Sequence, residues 1–428
     1  MSQKSLLSFF TKNNSNFLNG RIILEGIVVS TTEYIMLGAF VLINFLINHY
    51  YGTEVVGIYF LSYSIAQIGI LGVGGVFSLL MRRDLSINHY DSNNYLSKVQ
   101  LLRFSNLLIV LFISIIAIVL FYQPLRSNLL FVLLMIGAKG FDALSESYYT
   151  AYQTLNRISD YSIFKILNAT AFILVSVFVC INHYNIEYLY WSQFFCAILI
   201  FAINFHRWNQ TKNVSLSIER KALQKVTYRF LIIESFPLII NALVFQLGLR
   251  LNSILIFDSI GEKNLGIFSI VVITIGMFTG VSNALALVFF GRLSRIFVDQ
   301  PQAFLKRLHQ TLGLFLIIGV SFFILYLLLI PVIEYLFGLT IDHQLYQIMS
   351  SAIPFMFIVS SLGSIFTIIK KQKLGMYLSV VVLFFNLLAY YLFIERYGLI
   401  GAGYAFLITF IFQSVIFYFA SLMYLRKS

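Results

Sequence analysis

Of the 428 residues in this chain, 59% are apolar and only 11% charged, where a soluble protein carries about 25% charged residues. Together with repeated apolar runs of about 20 residues, this excludes a single soluble core and makes the chain a polytopic membrane protein. The net charge of +12 would suggest nucleic acid in a soluble protein; here it reflects Lys and Arg gathered in cytoplasmic loops, and no nucleic-acid partner is expected.

In chain order, the first 20 residues are polar and Asn-rich, with no compact apolar run ahead of a small-residue cleavage site. The expectation is that the first apolar helix acts as the insertion signal and stays. Twelve spans are predicted, at about 27–47, 55–81, 104–122, 129–151, 161–181, 187–205, 230–256, 264–290, 310–330, 344–369, 375–394 and 400–424. Runs of this length satisfy their backbone polar groups in lipid as helices. An outer-membrane barrel would show alternating segments about half as long. The two cysteines, Cys180 and Cys196, lie in apolar segments and form no C-x-x-C pair, so they read as small hydrophobes.

The loops orient the spans. The amino-terminal arm, the even-numbered loops and the tail together hold 24 basic residues, among them Arg103 in the second loop and Lys165 in the fourth. The other side holds only Arg126, Lys263 and Arg396. By the positive-inside rule both termini are cytoplasmic. The sixth loop, about 206–229, is the longest and most basic, and divides the spans six and six. The predicted halves are therefore residues 1–212 and 213–428.

The halves share a signature. Gly52–Arg83, read as one glycine-flanked helix, returns 209 positions later as Gly261–Arg292. Gly52 maps on Gly261, Gly57 on Gly266, Ile58 on Ile267, Tyr59 on Phe268 and Arg83 on Arg292. Glu25 and Glu234 pair at the same offset. Six spans is an even number, so both halves enter from the same side, related by a pseudo-twofold axis along the membrane normal. The fold class expected is all-α, with about twelve transmembrane helices in two six-helix bundles.

No P-loop, H-E-x-x-H motif or metal-ligand cluster is present in the sequence, and the six histidines sit in or near loops with no shared spacing. No catalytic or metal residue is assigned. The informative residues are ionisable ones within spans, since charge in lipid is costly and usually faces a cavity or a partner. In span four, Lys139, Asp142 and Glu146 share one helix face at i, i+3 and i+7. They form either an internal salt bridge or the wall of a water-filled cavity in which Lys139 draws in an anion. In span seven, Gln246, Arg250 and Ser253 form one stripe, and Arg250 either bridges to an acid on another helix or contacts a phosphate with its guanidinium fork. Glu33, in span one, is a candidate for binding a coupling proton or sodium ion.

Several stretches resemble the polysaccharide or O-antigen flippases of the multidrug/oligosaccharidyl-lipid/polysaccharide exporter superfamily. They are YYGTEVVGIYFLSYSIAQIGILGVGGV around span two, SFPLIINALVFQLGLRLNSILIF leading into GEKNLGIFSI, and YGLIGAGYAFLIT at the entry to span twelve. The resemblance implies a flippase, not an enzyme, that moves a polyprenyl-diphosphate-linked oligosaccharide from the cytoplasmic to the outer leaflet of the bacterial inner membrane. It also implies a central cavity between the bundles, lined partly by cations, and coupling to a proton or sodium gradient without a bound cofactor. The partners expected are the bilayer, the lipid-linked glycan and a polysaccharide polymerase or assembly machinery. In that frame Arg250, Lys139 and Gln246 bind substrate, while Glu33, Asp142 and Glu146 respond to the coupling ion. A cation-coupled multidrug exporter on the same scaffold is the alternative. An integral-membrane glycan polymerase or glycosyltransferase is a second, disfavoured by short outer loops.

Overall fold

The computed structural model describes residues 20–70, 75–86, 91–121, 126, 128–155, 157–212, 226–338, 343–369 and 371–425. Thirteen helical elements account for nearly all of them, and there is no strand among the described residues. The first bundle contains α1 (Gly20–Tyr51), α2 (Thr53–Gly69), α3 (Gly75–Ser86), α4 (Ser92–Phe121), α5 (Leu129–Thr154), α6 (Ile158–Ile181) and α7 (Ile186–Lys212). The second contains α8 (Tyr228–Ile260), α9 (Glu262–Asp299), α10 (Pro301–Phe337), α11 (His343–Ser350), α12 (Ile353–Ile368) and α13 (Gln372–Leu425). Most of the linker predicted between the halves, residues 213–225, lies outside the described residues.

The twelve predicted spans map onto these helices. Span two is described as α2, ending at Gly69, and α3, from Gly75; residues 71–74, which would join them as one helix, lie outside the described set. Span ten is divided into α11 and α12, with Pro354 placed in the first turn of α12, where its missing N–H costs no helical hydrogen bond. Spans eleven and twelve are two helices, taken together as α13, that meet at a kink at Gly398 (φ 57°, ψ −131°).

The two halves meet most closely where the sequence repeat lies. Gly52 (φ 89°, ψ 171°) ends α1 and caps α2; Gly261 (φ 86°, ψ 175°) ends α8 and caps α9. Each accepts a conformation that side-chain-bearing residues rarely adopt. Their hydrogen bonds match as well. Gly52 donates to the Asn48 carbonyl, and Gly261 donates to that of Phe257, both at 3.0 Å. Just beyond, Gly57 and Gly266 bring the backbones of α2 and α9 into contact. A Cβ on Gly57 would stand 2.1 Å from the Glu262 carbonyl oxygen, and one on Gly266 would stand 2.0 Å from that of Thr53. Thr53 and Glu262 are themselves 209 apart, so the contact is its own mirror across the pseudo-twofold axis.

Further bonds close this glycine end. Asn48 donates to the Phe337 carbonyl at 2.5 Å, tying α1 to α10, and the Phe45 and Phe337 rings meet edge to face at 5.7 Å. At mid-depth Ser64 of α2 donates to Ser253 of α8 at 3.2 Å.

The hydrophobic core has the same asymmetry along the membrane normal. From the glycine end it is one continuous cluster that draws on both bundles, from Ile43, Val56 and Phe60 to Phe268, Ile273 and Phe357. At the basic end it divides. One cluster gathers Phe77, Met81, Tyr95, Tyr152 and Trp208 around the first bundle, with Val226 and Leu231 at the start of α8. The other gathers Leu293, Phe304, Leu308, Phe366 and Phe417 in the second. The halves also touch at the basic end, where the start of α8 packs on the first bundle through Val226 and Leu231 and Lys98 donates to the Val226 carbonyl.

Candidate functional site

Tyr63 of α2, Lys139 of α5 and Arg250 of α8 each lie about ten residues from the glycine end of their helix. At 1.5 Å per residue that is about 15 Å deep, near the middle of a hydrocarbon core of about 30 Å. They meet there. The Lys139 Nζ is 5.4 Å from the centre of the Tyr63 ring, and the Arg250 guanidinium is 5.0 Å from the same ring. Phe172 gives Lys139 a second aromatic face at 5.8 Å, and Phe60 gives Arg250 one at 6.0 Å. Phe40 of α1 holds the Tyr63 ring from its own side at 4.6 Å. A cation from each bundle therefore converges on one tyrosine at their junction.

These two cations are poorly neutralised. Among the described residues Arg250 forms no salt bridge, and its Nε is buried with no hydrogen-bond partner. The bridge to an acid on another helix, one of the two roles open to Arg250 from sequence, is not formed among the described residues. Gln246, one turn earlier, has its Oε1 buried and unbonded, while Ser253, one turn on, bonds to Ser64 of the first bundle. Lys139 does have the intrahelical partner foreseen for it, Asp142, at 3.8 Å. Its side chain is still 24% exposed at mid-membrane depth.

Toward the basic end the charge continues as a ladder. Asp142 accepts a hydrogen bond from Asn168 of α6 at 2.8 Å. One turn further along α5, Glu146 pairs with Lys165 of α6 at 3.8 Å. Lys165 also binds the Glu33 carboxylate of α1 directly, and Tyr161 donates to the same Glu33 oxygen at 2.5 Å. One lysine thus ties α1, α5 and α6 together.

This corrects the reading of two residues. Lys165 is not a loop cation: its side chain is only 10% exposed and sits within the bundle. Tyr161, Lys165 and Asn168 follow one helix face at i, i+4 and i+7, a polar stripe in an otherwise apolar span that would have placed it inside. Arg103 is also no loop cation. It is fully buried, and its guanidinium donates to the Ala143 carbonyl at 2.6 Å, to Ser147 at 2.5 Å and to Ser78 at 2.9 Å. It fastens α3 and α4 to the back of α5, the helix that carries Lys139, Asp142 and Glu146. The positive-inside rule counts any cation near a span end and cannot separate a side chain that enters the protein from one that leaves it.

The whole arrangement matches solved structures along nearly its full length. An inward-facing multidrug-resistance MATE transporter of the MOP superfamily superposes with a TM-score of 0.68 over 93% of this chain and 95% of that one, at 13% identity. An outward-facing MATE transporter of the same superfamily gives 0.64 over 94% and 96%, at 10% identity. The chain has the MATE fold. No family model matches the sequence. A capsular polysaccharide biosynthesis protein, CapF of Staphylococcus aureus, is 24% identical over 323 residues, which cover 73% of this chain and 78% of CapF.

Within the MATE fold Tyr63, Lys139 and Arg250 stand where the bundles meet, while Glu33, Asp142, Glu146 and Lys165 lie within the first bundle. Arg250 and Lys139 meet at Tyr63. Glu33 and Glu146 share Lys165, and Asp142 stands between the two groups. Among the described residues no group of three or more His, Cys, Asp or Glu side chains is arranged to hold a metal ion, and Cys180 and Cys196 are buried free thiols.

Proposed function

We propose that this protein is a flippase that carries a polyprenyl-diphosphate-linked oligosaccharide, a repeat unit of O-antigen or another surface polysaccharide, from the cytoplasmic to the outer leaflet of a bacterial inner membrane. The observation that carries this reading is the pair of under-neutralised cations, Lys139 and Arg250, delivered from opposite bundles to one point at mid-membrane depth. A polar, anionic head needs such a place to cross a bilayer, because a cation replaces the hydration that lipid withholds. The similarity to a capsular polysaccharide biosynthesis protein supports the substrate class.

On the positive-inside count the basic end is the cytoplasmic side, facing the leaflet where the lipid-linked unit is assembled. Both termini are then cytoplasmic. The Glu33–Lys165–Glu146 group is the element that answers an ion gradient. A proton on either carboxylate, or a sodium ion beside it, weakens its hold on Lys165 and frees α1 relative to α5 and α6. The glycan-building and polymerising machinery would be its functional neighbours.

The decisive experiment removes the protein and asks which lipid-linked intermediate accumulates on the inner leaflet. In complementation, Arg250→Ala and Lys139→Ala are each expected to lower glycan export at least tenfold at normal protein levels. Full export by both variants would end the assignment. The MATE neighbours favour one other reading, a cation-coupled multidrug exporter. A drug-susceptibility panel on the deletion strain separates the two, since only that reading predicts sensitisation.

A further inference from the structure

We infer that Tyr63 is a positioning residue that makes the site select a diphosphate over a monophosphate; this rests on the flippase reading above. The argument starts from how the two cations are held. A carboxylate beside Lys139 or Arg250 would fix its position and cancel its charge together. An aromatic face attracts a cation through the ring quadrupole yet contributes no net charge. Tyr63 therefore sets where two positive charges stand without using either of them up.

The surroundings favour that role over simple packing. Tyr63 is itself fixed by Phe40, at 4.6 Å, and by Phe60, at 6.3 Å, so its ring is a defined platform. Arg250 retains a buried, unbonded Nε and makes no salt bridge among the described residues. Among the described residues the ion pair of Lys139 is the long 3.8 Å contact with Asp142. Both charges lie within 5.4 Å of one ring centre, so their separation cannot exceed the sum of their two distances to it. A diphosphate carries two anionic groups joined through one oxygen, and can meet a cation at each end. A monophosphate can satisfy one cation fully and leaves the other desolvated and alone, which is the costly case. Because Lys139 belongs to the first bundle and Arg250 to the second, a diphosphate held between them also spans the two moving parts.

The test measures binding of farnesyl diphosphate and farnesyl monophosphate to the purified full-length protein in detergent, for wild type, Tyr63→Phe and Tyr63→Leu. Wild type is expected to prefer the diphosphate. Tyr63→Phe, which keeps the ring, should keep that preference within about twofold. Tyr63→Leu should lose roughly tenfold in diphosphate affinity while monophosphate binding stays within about twofold. If Tyr63→Leu retains the preference, the inference fails and the flippase reading stands. Equal weakening of both ligands also defeats it, since that is what a merely structural tyrosine would give. A wild-type protein with no preference for the diphosphate overturns both the inference and the proposed substrate class. Melting temperature and monodispersity of Tyr63→Leu, compared with Tyr63→Phe, identify a folding defect, which would itself assign Tyr63 a structural role and overturn the inference.

Discussion

The fourth and tenth spans occupy equivalent places in the two bundles, and they could hardly differ more in chemistry. The fourth, α5, carries Lys139, Asp142 and Glu146 along one face. The tenth, α11 and α12, contains no Lys, Arg, Asp or Glu. At the glycine end, by contrast, the halves agree down to backbone angles and hydrogen bonds. The repeat thus preserves the surface on which the bundles meet and abandons symmetry at Lys139, Asp142 and Glu146, the residues proposed above to handle substrate and ions. A joint between two bodies needs matching shapes, whereas a translocation site for one asymmetric molecule does not.

The largest effect is expected from breaking the symmetric part. Gly57→Val or Gly266→Val puts side-chain atoms where a backbone carbonyl already stands, at about 2 Å, and backbone cannot step aside as a side-chain tip can. Overpacking of this kind costs about 1–3 kcal/mol or more. We expect near-complete loss of export, with greater labelling of cysteines introduced along α2 by a membrane-impermeant thiol reagent. Unchanged labelling would mean that the contact does not hold the end closed.

Next comes the asymmetric part. Lys165→Met leaves Glu33 and Glu146 without their shared cation, at a cost on the order of 1–3 kcal/mol, less than for a fully buried pair because Glu33 is 48% exposed. Export should fall about tenfold, and adding Glu33→Gln should recover part of it. Strictly additive losses in the double variant would show that the two residues act independently. The smallest effect is expected from Ser64→Ala. It removes one hydrogen bond between the bundles, worth about 1 kcal/mol, and should change melting temperature slightly and export less than twofold. A loss as large as that of the glycine variants would mean that the mid-depth contact, rather than the glycine end, carries the joint.

The span pattern was legible in the sequence because lipid imposes it: each crossing needs an apolar run, and each set of basic loops marks a side. The paired glycines were legible for a related reason, since positive φ and backbone contact both exclude side chains. The site was legible only in part. Lys139, Asp142, Glu146 and Arg250 stand out because they interrupt apolar runs well away from their ends. Lys165 and Arg103 lie close enough to span ends to pass as loop cations; the stripe with Tyr161 and Asn168 marks Lys165 as inward, while for Arg103 the fold is what reveals it. Tyr63 was hidden more completely. A tyrosine in an apolar helix gives no signal of its own, and its significance comes from two cations brought to it by helices far apart in sequence.

The contact between α2 and α9 has an electrostatic side. Both helices begin at this end, at Thr53 and Glu262, so the partial positive charges of two helix N-termini are brought together. Each is offset by an acid in its own first turn, Glu54 in α2 and Glu262 in α9. Their negative charge, worth about 0.3–1 kcal/mol at such a position, relieves a repulsion that would otherwise push the bundles apart. The closed end therefore behaves like a latch set against a weak spring: van der Waals contact between glycines holds it, like dipoles oppose it, and two glutamates and the surrounding salt set the tension.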